Sequence, residues 1–253
     1  MPPQWIDEGA PVLQPGAIVV SSFPSAGLAP TVAAHYIIRS LNLPRIGFVV
    51  LPEGGSIAVV QSGQVNPPVR IYGRGDLAIV LSELPVPLDL APRIARMILD
   101  GAEHRKARMV VGLEGVVPHP APDEAPPKEE SVWAALSRSD PKVMEQLKAC
   151  NVRLLEDGVI GGVSGGLLVE ALRRAVPVSV LLVSAGNGPE GFPDHRAGAT
   201  LIEALDRLLP ELKIDTGPLR TQAEMIERAL RAAIKGREKA NLPAKKEEPT
   251  IYG

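Results

Sequence analysis

The chain has 253 residues, 45% hydrophobic and 22% charged, with a formal net charge of -2. That balance lacks the basic surface of a nucleic-acid binder or a peripheral membrane protein. A single cysteine, Cys150, excludes a disulfide framework within one chain. No apolar run reaches the length of a membrane span, and Met1 to Pro15 lack the apolar core of a secretory signal, so the expected compartment is cytoplasmic.

Ala17 to Ser21, bounded by Pro15-Gly16 and Pro24, predicts a buried strand. Ser25-Ala26-Gly27 leads into a helix over about Leu28 to Leu41, with an apolar stripe of Ala33, Ala34, Ile37, Ile38 and Leu41; Pro44 stops it. Ile46 to Leu51 is the second strand. Ile57 to Gln61 and Val69 to Tyr72 predict shorter strands, paired as a hairpin across Gly63 to Pro68. Asp76 to Leu81 is another buried run. Leu90, Ile94, Met97 and Ile98 mark a helix, with Asp89 as its cap and Gly101 near its end. Met109 to Leu113 follows as a strand.

Pro118 to Glu130, with five prolines and four acids, predicts a solvated surface loop rather than a linker, because strand and helix alternation resumes after it. Ser131 to Leu136 is the next strand, and Asp140-Pro141 opens a helix carrying Val143, Met144 and Leu147. Val152 to Leu155 is short and apolar. A glycine-rich stretch, Gly158 to Gly166, then enters a helix with Leu168, Ala171, Leu172 and Ala175. Val178 to Val183 is the last strand. From Asp194 the chain turns helical, and Asp215-Thr216 caps a final helix with Leu219, Ala223, Ile226, Leu230 and Ala233 on one face. Strands apolar on both faces, alternating with helices, indicate an α/β fold whose sheet is covered on both sides. The reading is one α/β domain over 16–236, an N-terminal extension over 1–15, and a C-terminal tail over 237–253.

The tail carries Arg237, Glu238, Lys239, Lys245, Lys246, Glu247 and Glu248 with Pro243 and Pro249, a composition that predicts disorder. It ends on Ile251-Tyr252-Gly253, an aliphatic, an aromatic and a carboxylate, although the chain has only three tyrosines. Taken alone, the tripeptide reads as a frayed end or as a plug for a pocket on a partner.

Three features invite a chemical reading. Gly162-Val163-Ser164-Gly165-Gly166 matches the G-x-S-x-G elbow, which would make Ser164 a hydrolase nucleophile, with His195 as its base. The opposing reading is that these glycines permit close packing and a turn of positive φ. The same stretch, or Ser25-Ala26-Gly27, could cradle a phosphate at a helix N-terminus, as in a nucleotide-dependent ligase, but no P-loop lysine follows. The four histidines share no metal-ligand spacing, so no metal and no cofactor are expected; His35 reads as a hydrogen-bonded interior or interface group.

With these residues in order, the chain resembles the proteasome assembly chaperone family in its archaeal form. The likeness rests on Phe23 to Leu28, Tyr72 to Leu77, Leu155 to Leu168, Pro193-Asp194 and Ile214-Asp215-Thr216. The resemblance implies a three-layer α/β/α sandwich similar to nucleoside phosphorylases, without their active site, and so not an enzyme. It implies small homo-oligomers, tetramers or pentamers. It also implies that Ile251, Tyr252 and Gly253 match the hydrophobic-Tyr-X ending that enters pockets between α-subunits of the proteasome core particle. Ile251 would be the apolar anchor, Tyr252 a packed hydrogen-bonding ring, and the Gly253 carboxylate the partner of a pocket lysine. Docking would serve assembly or ATP-independent gate opening. The rivals are an enzyme built around Ser164 and a scaffold with no proteasome contact.

Overall fold

The computed structural model describes residues 3–9, 13–51, 57–61, 63–117, 131–185, 192–210 and 212–240. The loop expected from Pro118 to Glu130, and Ile251, Tyr252 and Gly253, lie outside the described residues.

The centre is a parallel set built from β2 (Leu13–Ser22), β6 (Val69–Ser82), β7 (Met109–Val116) and β10 (Val178–Ser184). Side chains alternate along each strand, so each strand feeds two cores. Ile18, Val20, Ile79 and Leu81 meet α1 (Ala29–Ser40) and α5 (His195–Leu208) on one face. Ala17, Val19, Ala78 and Val80 meet α2 (Ala91–His104) and α4 (Gly162–Ala171) on the other. Ile79, Leu81, Ile94 and Ile98 are fully buried, each worth about 1.5–3 kcal/mol of transfer free energy. The result is the expected α/β/α sandwich, and the double-faced apolar runs are its cause.

Antiparallel strands complete the sheet. β1 (Gln4–Asp7) pairs with β3 (Arg45–Val50), and β3 with the first half of β6. At the other side β8 (Val132–Leu136) pairs antiparallel with β10, and β9 (Arg153–Leu154) closes the edge. Among the described residues the order is β1-β3-β6-β2-β7-β10-β8-β9. β1 lies within the stretch expected to be an extension. Its anchor is Trp5, which packs over Gly101 and carries the Arg105 guanidinium 4.3 Å from its ring.

Two expectations shift. The hairpin is not Ile57–Gln61 against Val69–Tyr72: β4 (Val59–Gln61) pairs with β5 (Gln64–Asn66) instead, with Gly63 at φ +75° leading into β5. Val69 to Tyr72 pairs with β3, and the chain doubles back within β6. A straight strand would hold Arg70 and Glu83 roughly 40 Å apart, yet their side chains form an ion pair. Gly73 lies so close to the Leu77 carbonyl that a side chain could not fit, and Gly75 takes φ +49° to make the turn. Asp89 is likewise not the cap of α2. Leu90 holds that position with no side-chain cap bond, and the turn is closed by backbone bonds from Leu90 and Ala91 to the Pro87 carbonyl.

α3 (Pro141–Ala149) begins at the expected Asp140-Pro141 pair. The last helix, α6 (Gly217–Ala240), outruns the expected end near Gly236 by four residues. A glycine inside a helix costs only about 1 kcal/mol relative to alanine, and Arg237-Glu238-Lys239 are good helix formers.

Candidate functional site

α6 is the element that leads to the tail, and its root is clamped to the body. Asp215 Oδ1 accepts from the Gly217 N–H at 2.9 Å, so the expected cap is present. Thr216 donates instead to Glu203 Oε1 at 2.8 Å. Arg220 donates to both oxygens of Glu203, from Nε at 2.6 Å and Nη2 at 2.8 Å. That guanidinium holds the Glu203 carboxyl below its usual range, against the opposing effect of partial burial. Tyr36 of α1 donates to the Asp215 carbonyl at 2.7 Å. Leu219 and Ala223 are buried, and most described residues just past them are exposed. Met225 is 66% exposed, Arg228 more so, and Ile226 only half-buried. At 1.5 Å per residue the 24 residues of α6 span about 36 Å.

The second group lies at the carboxyl ends of the parallel strands, where ligands sit in open α/β sheets. The turn from Phe23 to Leu28 folds over this edge. Gly115 N–H donates to Ser25 Oγ at 2.8 Å, and Asp194 N–H donates to the Gly27 carbonyl at 2.7 Å. Gly115 must be glycine, because a Cβ there would strike the Ala26 carbonyl. Beneath the turn, Ser164 Oγ donates to Glu114 Oε2 at 2.6 Å, and the Ser25 hydroxyl also bonds the Glu114 carboxyl. Burial raises the Glu114 pKa; the two hydroxyls offset this only in part.

This arrangement corrects the chemical readings. Ser164 is not on an elbow: residues 158–161 form no strand, and the serine sits in the first turn of α4, which Gly162 opens at φ +61°. Its hydroxyl serves Glu114, while His195 Nδ1 lies 3.0 Å from the Pro193 carbonyl. The two loose phosphate cradles, Ser25 and Ser164, converge on that one carboxyl, which already engages both hydroxyls. Glu114 itself escaped the sequence reading. Its signal was one acid between two glycines in an otherwise apolar strand, Met109 to Val116. Among the described residues no group of three or more His, Cys, Asp or Glu is placed to hold a metal. No described helix is long and apolar enough to cross a membrane.

A third polar cluster lies between α1 and the sheet. His35 Nε2 is 3.1 Å from Glu83 Oε1, and the fully buried Arg70 pairs with the same oxygen. Burial raises the Glu83 pKa, but His35 and Arg70 outweigh it and the net shift is downward. His35 is therefore the hydrogen-bonded group expected.

A model of the PAC2 family matches residues 19–234. The chain belongs to the PAC2 family. PbaA of Pyrococcus furiosus, described as an archaeal homolog of proteasome-assembly chaperone, is 28% identical, with 95% of this chain and 94% of that one covered and a TM-score of 0.79. The protein MJ0106 of Methanocaldococcus jannaschii is 27% identical over 233 residues, 92% of this chain and 91% of its own length. Pyrococcus furiosus PbaB, described as an archaeal proteasome activator, shares the fold at 22% identity and a TM-score of 0.76, over 92% of this chain and 98% of its own. The resemblance to proteasome assembly chaperones is borne out by these matches. In this PAC2 chain the residues that carried it are joints of the fold. Phe23 to Leu28, Ser164 and Asp194 meet at the carboxyl edge, Tyr72 to Leu77 folds β6 back, and Ile214 to Thr216 roots α6.

Proposed function

We propose that this PAC2 chain is a chaperone-like partner of the proteasome, and that it docks on the α-ring of the core particle through Ile251, Tyr252 and Gly253. Two things support the reading: family membership, and likeness over nearly the whole chain to PbaA, a homolog of proteasome-assembly chaperone. The observation that carries the tail's role is α6, which leads to the tail: its root is bonded through Glu203, Arg220 and Tyr36, and Met225 and Arg228 past it are exposed. A helix bonded to the body at its root, with most described residues past Ala223 exposed, can serve as a stalk for the residues that follow it.

Thirteen residues follow Ala240, Asn241 to Gly253. Stretched fully they reach at most roughly 45 Å. One short peptide buries little area and binds weakly. Several copies on a homo-oligomer, a tetramer or a pentamer, would raise avidity by orders of magnitude without new contacts. Engagement would assist assembly or open the gate, drawing only on binding energy, since the chain carries no P-loop. Removal of Ile251 to Gly253 tests this: pull-down of the core particle drops at least tenfold while circular dichroism is unchanged. Undiminished pull-down refutes tail docking.

A further inference from the structure

Among the described residues four buried side-chain atoms make no hydrogen bond to any protein group: Ser22 Oγ, Thr31 Oγ1, Arg70 Nε and Glu83 Oε2. The fold brings all four to one seam, between α1 and the side of β2 and β6 that faces it. Side chains alternate along a strand, and Ser22 follows Ile18 and Val20, which pack toward α1. In the register of the sheet Ser22 stands beside Leu81, on the same face. Glu83 lies two residues beyond Leu81 and meets His35 Nε2 of α1 at 3.1 Å. Arg70 sits between Val69 and Ile71, which belong to the opposite core, so it too faces α1, where it pairs with Glu83. Thr31 is one turn before His35, so the two share a side of α1.

The seam is closed at its floor and open at its mouth. Ser22 and Arg70 are fully buried, whereas the side chains of Glu83 and His35 keep 25% and 30% of their surface exposed. A small molecule can enter past those two. The chemistry of the lining restricts what it can be. Arg70 Nε–H only donates, the ionised Glu83 carboxylate only accepts, and the two hydroxyls do either. The charges of Arg70 and Glu83 cancel, so an ion in the seam would add an unpaired charge where solvation is poor. The occupant is therefore neutral, and it must both accept and donate. An O–H group does both from a single atom.

We propose that this seam is a binding site for neutral hydroxyl groups, of water or of a small polyol, which bridge Arg70 Nε and Glu83 Oε2 and bond Ser22 and Thr31. A buried water makes about three hydrogen bonds, so roughly one or two waters satisfy the four atoms. Two adjacent hydroxyls of a polyol present the same groups. The bound oxygen ties α1 to β6 beside the point where Gln61 of the β4–β5 hairpin accepts from Arg70 Nη1 at 3.2 Å. The hairpin's seat, α1 and β6 then share one joint.

Thr31→Val keeps the shape of the side chain and deletes its hydroxyl, so the sign of its effect decides. A hydroxyl bonded to the bound oxygen contributes to stability, and the urea midpoint is expected to fall. A dry hydroxyl costs stability, so the midpoint would hold or rise, and that result overturns the proposal. Glycerol distinguishes the two sources. Its general effect as an excluded osmolyte cancels when the two proteins are compared. A larger rise in midpoint for wild type than for Thr31→Val assigns the site to a polyol; equal rises assign it to water. A crystal structure at a resolution that shows ordered water is expected to place an oxygen within hydrogen-bond distance of both Arg70 Nε and Glu83 Oε2. If those two atoms bond protein groups alone, the site does not exist. Neither measurement involves the tail or the core particle, so this proposal and tail docking fail separately.

Discussion

The carboxyl edge of the sheet and the stretch of α6 just past its root are built in opposite ways. At the edge, Ser25, Ser164, Glu114 and Gly115 bond one another, and the Asp194 N–H holds the Gly27 carbonyl of the turn above them. Along α6 just past Ala223, Glu224, Met225, Arg228 and Ala229 are exposed, while the root is bonded to Glu203. The first region has the location of a ligand site but has committed its polar groups to holding the fold. The second offers position: it carries the chain from the body toward the tail. The difference teaches that polar groups at a sheet's carboxyl edge can serve the fold itself, while the helix that leads to the tail is bonded to the body at its root.

Breaking the body should therefore cost far more than altering the stalk. The largest expected effect is Glu83→Ala. It leaves the fully buried Arg70 guanidinium without its counter-ion, at about 3–5 kcal/mol. Urea unfolding checks this, and a loss below about 1 kcal/mol would show that the pair is solvated. Next is Arg220→Ala, which removes the guanidinium bonds from the root of α6 to Glu203 and costs about 1–2 kcal/mol. Because the Glu203 carboxyl titrates below its usual range, this stability is present above the ordinary carboxylate pKa and is lost as pH falls through the lowered one. The difference between wild type and Arg220→Ala should shrink on acidification.

Glu114→Gln sharpens the comparison in the other direction. The native state keeps a proton on Glu114 that the unfolded chain gives up, so wild-type stability falls as pH rises from the usual carboxylate pKa to the raised one, then levels off. The glutamine keeps the shape without that loss. The variant should gain on wild type as pH rises above the ordinary carboxylate pKa, in unfolding measured pH by pH. A constant difference would mean that Glu114 titrates normally. The smallest effect is Met225→Lys on the exposed side of α6, within about 0.5 kcal/mol of wild type.

How much of this could be read in the residues varies by region. β2, β7 and β10 were legible because burial on both faces demands unbroken apolar runs. The fold-back of β6 showed as two runs around Gly73 and Gly75, without the pairing that joins them. β1 was missed because four residues give no period. The hairpin was misplaced because its turn lies within a run that reads as one loop, and its exposed valines look like core. Asp89 misled because backbone bonds closed that turn instead. The meeting of Ser164 with Glu114, 50 residues earlier, leaves no local mark, since it is set by the packing of α4 over β7. Ile251 to Gly253 stood out by residue type alone.

Tail docking is tested most directly by the affinity of the core particle for the full chain and for a chain extended by one alanine after Gly253. The extension keeps every side chain and moves only the carboxylate. The expected result is a loss of at least tenfold in Kd, with the oligomer mass unchanged. Equal affinities for the two proteins would contradict recognition through Ile251, Tyr252 and the Gly253 carboxylate.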